Sequence, residues 1–227
     1  MQLRGQGKAA LLLTGVLMAG PALAHKAGDV IVRLGGIKVD PDASSETFNP
    51  ALPAVGGLGV DVDDDTQVGL TLAYMVTDSI GVELVGATPF SHDILLETGG
   101  GGVAIGETSH LPPTLLAQYY APQIGPMRAY VGAGLNYTLF FEDRIDDAVV
   151  SPLLGGADAD VKLSNSMGFA WEVGADFALD DNWLFNVSVW NIDIDTEARL
   201  YVNNARVDKI DVEIDPWVYM VGLGYRF

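Results

Sequence analysis

Alternation with a period of two dominates the end of the chain. Trp217, Tyr219, Val221, Leu223, Tyr225 and Phe227 fall on one face of an extended segment, and Val218, Met220, Gly222, Gly224 and Arg226 on the other. The first face is large and apolar, and the second is mostly glycine and apolar residues. The segment spans roughly 33 Å along a strand, or about 25 Å of depth at a tilt of about 40°, the height of the apolar band on an outer-membrane barrel. Aromatic residues stand at both ends of that band. A soluble sandwich would turn its aromatics toward a core and leave its other face charged, so the pattern predicts a strand with one face in lipid.

The same period recurs in seven earlier segments, separated by alternately short and long connections. The short ones are Thr77-Asp78-Ser79, residues 121–126 and Asp180-Asp181-Asn182, all with turn chemistry. The long ones are residues 40–65, 87–110, 142–160 and 193–213. Eight strands with three short turns and four long loops predict an all-β fold: an eight-stranded, antiparallel, up-and-down transmembrane barrel with both termini in the periplasm.

Residues 1–24 differ. Arg4 and Lys8 precede the apolar stretch Ala9 to Ala19, Pro21 breaks it, and Ala22-Leu23-Ala24 supplies the small residues of a cleavage site. A cleaved signal peptide over 1–24 is expected, leaving residues 25–227 as a bacterial outer-membrane barrel. Mean hydropathy is positive, at +0.25, yet no later run is long enough for a spanning helix. Removing Arg4 and Lys8 moves the formal net charge from -18 to -20, and the four long loops hold 22 acidic against 4 basic residues. That acidic rim is expected to face outward, beside lipopolysaccharide and outer-membrane lipid. Such a charge excludes nucleic acid as a partner, and the absence of cysteine excludes disulfide scaffolds and thiolate metal sites.

Many short blocks, taken in order, resemble the OmpW family of outer-membrane proteins over essentially all of residues 25–227. They include Asp64-Asp65-Thr66-Gln67-Val68-Gly69-Leu70, Tyr74-Met75-Val76-Thr77-Asp78, Ala87-Thr88-Pro89-Phe90-Ser91-His92 and His110-Leu111-Pro112-Pro113-Thr114. Further on stand Tyr130-Val131-Gly132-Ala133-Gly134-Leu135-Asn136-Tyr137, Ser188-Val189-Trp190, Asp193-Ile194-Asp195-Thr196 and Asp215-Pro216-Trp217-Val218. The resemblance implies an eight-stranded barrel with a hydrophobic interior that passes small apolar molecules, in some cases by lateral release into the bilayer. It also implies insertion by the outer-membrane barrel assembly machinery. A monomer is compatible with this reading.

A charge on the lipid face costs roughly 2–4 kcal/mol at mid-membrane, so the charged residue on each strand marks its inward face. Near the periplasmic end this parity collects Asp29, Arg33, Glu83, Arg128, Glu172, Asp176 and Arg226, which predicts a salt-bridged plug. Toward the acidic rim the inward positions become apolar: Ile37, Val39, Val85, Leu116, Trp190, Ile192, Ile194, Val218 and Met220. An eight-stranded barrel holds side chains or one small ligand, so this describes an apolar channel lining above a charged floor. Trp190, with Val85 opposite, is the expected constriction. Pro89 ends the third strand and Pro112-Pro113 open the fourth, where each proline removes a ladder donor, and a lateral gate is expected there.

A structural or surface-interaction barrel with a merely filled core is the alternative. No enzyme, cofactor or metal site is expected. Ser91-His92-Asp93 has triad residue types, but neighbours along a chain cannot line up as nucleophile, base and orienter. His92 and His110 flank the second long loop and are able to approach one another. The run Asp61-Val62-Asp63-Asp64-Asp65 lacks the glycine and distal glutamate of an EF-hand, so it reads as a solvated acidic loop, with magnesium or calcium bridging it to lipopolysaccharide as the alternative.

Overall fold

Hydrocarbon offers no water to satisfy a backbone N–H or C=O, so strands that cross it must pair on both sides. In the computed structural model, which describes residues 25–52, 55–98 and 101–227, eight strands do this by closing on themselves. The expected leader at 1–24 lies outside the described residues. The strands are β1 (Val30–Asp40), β2 (Asp65–Met75), β3 (Ile80–Ala87), β4 (Thr114–Tyr120), β5 (Met127–Ile145), β6 (Ser166–Ala178), β7 (Trp183–Ile192) and β8 (Trp217–Arg226). Each pairs antiparallel with the next, and β8 pairs back to β1 with Val39 opposite Val218 and Arg33 opposite Gly224.

The period-two pattern now has its physical meaning. Val221 is 54% exposed and its neighbour Met220 is 1% exposed, because one faces lipid and the other the lumen. Val68, Leu70, Leu72 and Tyr74 of β2 and Leu135 of β5 are likewise outward and exposed. Trp217 packs edge-on to Trp171 at one end of the apolar belt, and Trp183 to Tyr225 at the other.

Much of what was expected as long loops is more strand, and this corrects the sequence reading. Phe90–Thr98 and Gly101–Leu111 form a hairpin whose second arm continues along the upper half of β5, with Val60–Val62 on its outer edge. Asp195–Val202 and Ala205–Glu213 form another, flanked by Ala159–Leu163 and Ser44–Ser45. Asn203 and Asn204 turn it with φ of 48° and 64°, the left-handed conformation that a tight hairpin requires. A helix, Asp147–Leu153, is capped by the Asp146 carboxylate accepting from the Ala148 N–H. Together these pieces raise the barrel wall into a vestibule with an apolar interior. Ile194, Ala198, Leu200, Ile210 and Val212 are buried inside it, and the acidic residues between them face out.

One bulge adjusts β5 to both interiors. Glu107 pairs with Arg144 and Ser109 with Phe141, so an extra residue sits in β5, where Glu142 has φ of 57°. Phe140 and Ile145, an odd number of positions apart, therefore both face inward.

Strand contact is tightest at Gly134, where an added Cβ would lie 1.9 Å from the Leu115 carbonyl oxygen and 2.7 Å from Leu116 Cα. Backbone cannot yield there as a side chain would. Gly134→Ala is expected to destabilise the barrel by about 1–3 kcal/mol. Gly36→Ala, with nothing within 4 Å of its added Cβ, is expected to change stability by less than about 0.5 kcal/mol. Urea unfolding of the detergent-folded protein reads both, and equal midpoints for the two variants would contradict the packing account.

Candidate functional site

The floor of the lumen is organised by one guanidinium. Arg33 of β1 is fully buried; it donates from Nη2 and Nε to the two Asp176 oxygens at 2.6 and 3.0 Å and from Nη1 to Glu83 at 2.7 Å. Its Nη2 also donates to the Tyr120 hydroxyl at 3.0 Å, and its plane lies over the Tyr130 ring. Asn186 bonds Asp176 and the Tyr130 hydroxyl, while Gln118 donates to Glu172 at 2.5 Å and receives the Tyr120 O–H at 2.8 Å. Side chains from β1, β3, β4, β5, β6 and β7 thus meet across the ring, leaving each strand tied to the centre.

Four of the expected plug residues, Arg33, Glu83, Glu172 and Asp176, share this network. Arg128 does not pair as expected. Among the described residues no carboxylate lies within 4.0 Å of it; its guanidinium donates to the carbonyls of His25, Asp78 and Ala121 and stacks on Tyr120. Arg226 also lies outside the central network, at the periplasmic rim, 3.8 Å from Asp29 and bonded to the Asp181 carbonyl. Parity gives the face of a residue but not its height. Missed altogether were Tyr120, Tyr130, Gln118 and Asn186, which the same parity places inward, and His25, whose Nε2 lies 3.0 Å from Asp176. No periodicity covers a residue ahead of the first strand.

Above the floor the lumen is apolar. Val85, Leu116, Trp190, Ile192, Val218 and Met220 are all buried in one continuous hydrophobic cluster. Val85 and Trp190 face a common cavity of about 20 Å³, with Ile192 and Val218 beside them; Leu116 and Met220 are packed into the wall without lining it. A larger apolar cavity, of about 60 Å³, lies in the vestibule above. Val39 lines both. His110 stacks on Phe90 at 5.4 Å and on His92 at 4.9 Å between centroids, and Phe140 lies tilted against it at 5.7 Å. Burial holds both imidazoles below their usual pKa, that of His110 down to about 3.

The prolines mark a break in the wall. Pairing between β3 and β4 runs only as far as Val85 opposite Thr114. Beyond it β3 stays with β2, Ala87 opposite Gly69, while Leu111 has crossed to Leu139 of β5. Gly86, Ala87 and Pro112 stand at this break and line the lower cavity; Pro89 and Pro113 are exposed on either side of it.

The remaining candidates disperse. Ser91 Oγ bonds Ser109 and His92 Nδ1 bonds the Asp63 carbonyl, so Ser91, His92 and Asp93 form no relay. In the aspartate run, Asp63 accepts from the Asp93 N–H, Asp64 pairs with Lys38 and Asp65 accepts from Gln67 and Ser91; these contacts draw the carboxylates apart. Instead Asp193, Asp195 and Asp215 bring carboxylate oxygens within 4.8 Å of one another on the outer surface.

The OmpW family profile matches residues 26–227. Outer membrane protein W of Vibrio cholerae is 44% identical over 222 residues, covering 96% of this chain and 97% of that protein. The crystal structure of OprG from Pseudomonas aeruginosa has a TM-score of 0.79 at 42% identity, over 90% of this chain and 98% of that one. A protein of Pseudomonas sp. strain C18 named for a dibenzothiophene metabolism operon is 28% identical over 198 residues, 86% of this chain and 87% of its own length. A closed ring of eight strands with a lipid-facing belt, matched along its length by these relatives, makes the chain a member of the OmpW family of outer-membrane β-barrel proteins.

Proposed function

We propose that the protein is a conduit for small apolar molecules, which enter the vestibule from outside and leave sideways into the outer membrane between β3 and β4. The carrying observation is the position of the lower cavity: apolar, above a closed charged floor, and bounded on one side by Gly86 and Pro112, where β3 and β4 no longer pair with each other. A water-filled porin would be polar inside, whereas this upper lumen would exclude ions by desolvation. An apolar guest gains from burial along the same surface. The name of the dibenzothiophene operon relative is in keeping with a polycyclic aromatic cargo.

Uptake of radiolabelled naphthalene into outer-membrane vesicles holding the protein should exceed uptake into empty vesicles. Trp190→Asp or Val85→Asp, each setting a carboxylate in the lower cavity, should lower it by about tenfold or more while heat-modifiable migration on gels persists. Equal uptake by protein-bearing and empty vesicles would leave a filled structural barrel in place of a conduit. Replacing Pro89, Pro112 and Pro113 with Thr restores backbone donors beside the break, and should slow naphthalene transfer about threefold as the wall closes; unchanged transfer would rule out lateral exit there.

The floor should respond in the opposite sense. Arg33→Ala strands Asp176 and Glu83, which should cost about 3–5 kcal/mol of stability, and it should raise ion conductance in planar bilayers without raising naphthalene uptake. Conductance equal to that of the unmodified protein would mean that the lumen is closed elsewhere.

A further inference from the structure

Two fully buried polar atoms in these apolar walls have no hydrogen-bond partner among the described residues: Nε2 of His92, on the upper cavity, and Nε1 of Trp190, on the lower one. Both side chains are buried, at 2% and 1% exposure. A buried polar atom left unpaired is costly, so each is a standing demand for a partner.

The chemistry of the demand differs between them. His92 Nδ1 lies 2.6 Å from the Asp63 carbonyl oxygen, which can only accept, so Nδ1 carries the ring proton. With the ring neutral, Nε2 is a bare acceptor and requires a guest that donates. The indole N–H of Trp190 can only donate and requires a guest that accepts. Two further polar side chains on the upper wall are already engaged: Thr108 donates to Asp143 at 2.7 Å and Thr196 to the Ser164 carbonyl at 2.6 Å. A hydrocarbon answers neither atom, an ether or ketone answers only Trp190, and a hydroxyl answers both. His92 and His110 lie nearly parallel, 15° apart, with Phe140 tilted by 40° beside them, and this aromatic wall favours a planar ring.

Resting on the conduit reading above, we propose that the preferred guest is a hydroxylated apolar molecule, a phenol or alcohol, whose O–H is taken by His92 Nε2 in the vestibule and whose oxygen accepts from Trp190 Nε1 below.

Three probes of one shape separate these contacts: 2-naphthol, 2-methoxynaphthalene, which keeps the oxygen but has no O–H, and naphthalene. Binding is measured by fluorescence on the full barrel in lipid nanodiscs, with empty nanodiscs subtracted. Affinity should fall by about fivefold at each step of that series. In His92→Phe the ratio of naphthol to methoxynaphthalene should drop to about one, and in Trp190→Phe the ratio of methoxynaphthalene to naphthalene should do so. The ¹⁵N resonance of His92 Nε2 in the unmodified protein, a readout independent of any variant's folding, should move with 2-naphthol and stay still with the other two. Equal affinities for all three probes, or an Nε2 resonance unmoved by 2-naphthol, would overturn the preference and leave the conduit standing. Failure of every probe to bind would overturn both.

Discussion

A strand in hydrocarbon must have its backbone groups paired within the protein, and nearly every feature of this molecule follows from meeting that demand with eight strands. Closure through β8 and β1 fixes a narrow ring, and a narrow ring forces its inward side chains into contact. At the floor the contacts are polar, because Arg33 is long enough to reach Asp176, Glu83 and Tyr120 from one strand. Higher up, Val85, Trp190 and Val218 meet as apolar surfaces and leave a gap between them. Against a wall that must be continuous, the break beyond Val85 and Thr114 stands out as the one segment between β3 and β4 that leans on other neighbours instead.

The barrel was legible because two-residue alternation is both its cause and its signature. Val218 and Met220 face the lumen for the same steric reason that makes them every second residue in the sequence. Trp190 was legible on the same ground, since its outward neighbours Val187 and Val189 already faced lipid. The vestibule was not. Ile194, Ala198, Leu200 and Ile210, Val212 alternate as plainly as any barrel strand, but their acidic neighbours read as loop, and only the second sheet reveals what the apolar face packs against. Arg226 meets Asp29 at the rim, but Arg128, although register sets it opposite Asp176, turns to backbone carbonyls because Arg33 and His25 already hold that carboxylate, a competition that periodicity does not display.

Charge is divided along the same line. Asp195, Glu197, Asp211 and Glu213 hold the outer surface of the vestibule while its inner surface is apolar, so the strong net negative charge costs little where it sits, in water. Pairs such as Glu197 with Arg199 and Lys209 are surface contacts that add little stability, and their use is to keep a hairpin soluble above the membrane.

The bulge at Glu142 gives the length of β5 a meaning apart from its composition. A strand that serves two interiors in series must keep its parity correct in each, and the single extra residue is the offset between them. Deleting one residue here would leave Phe140 and Ile145 an even number of positions apart, so that a regular strand without the bulge would keep both inward. A change of length by one residue in this stretch therefore exchanges the bulge for a regular strand, and a change by two retains it, a rule of counting that holds whichever amino acids are involved.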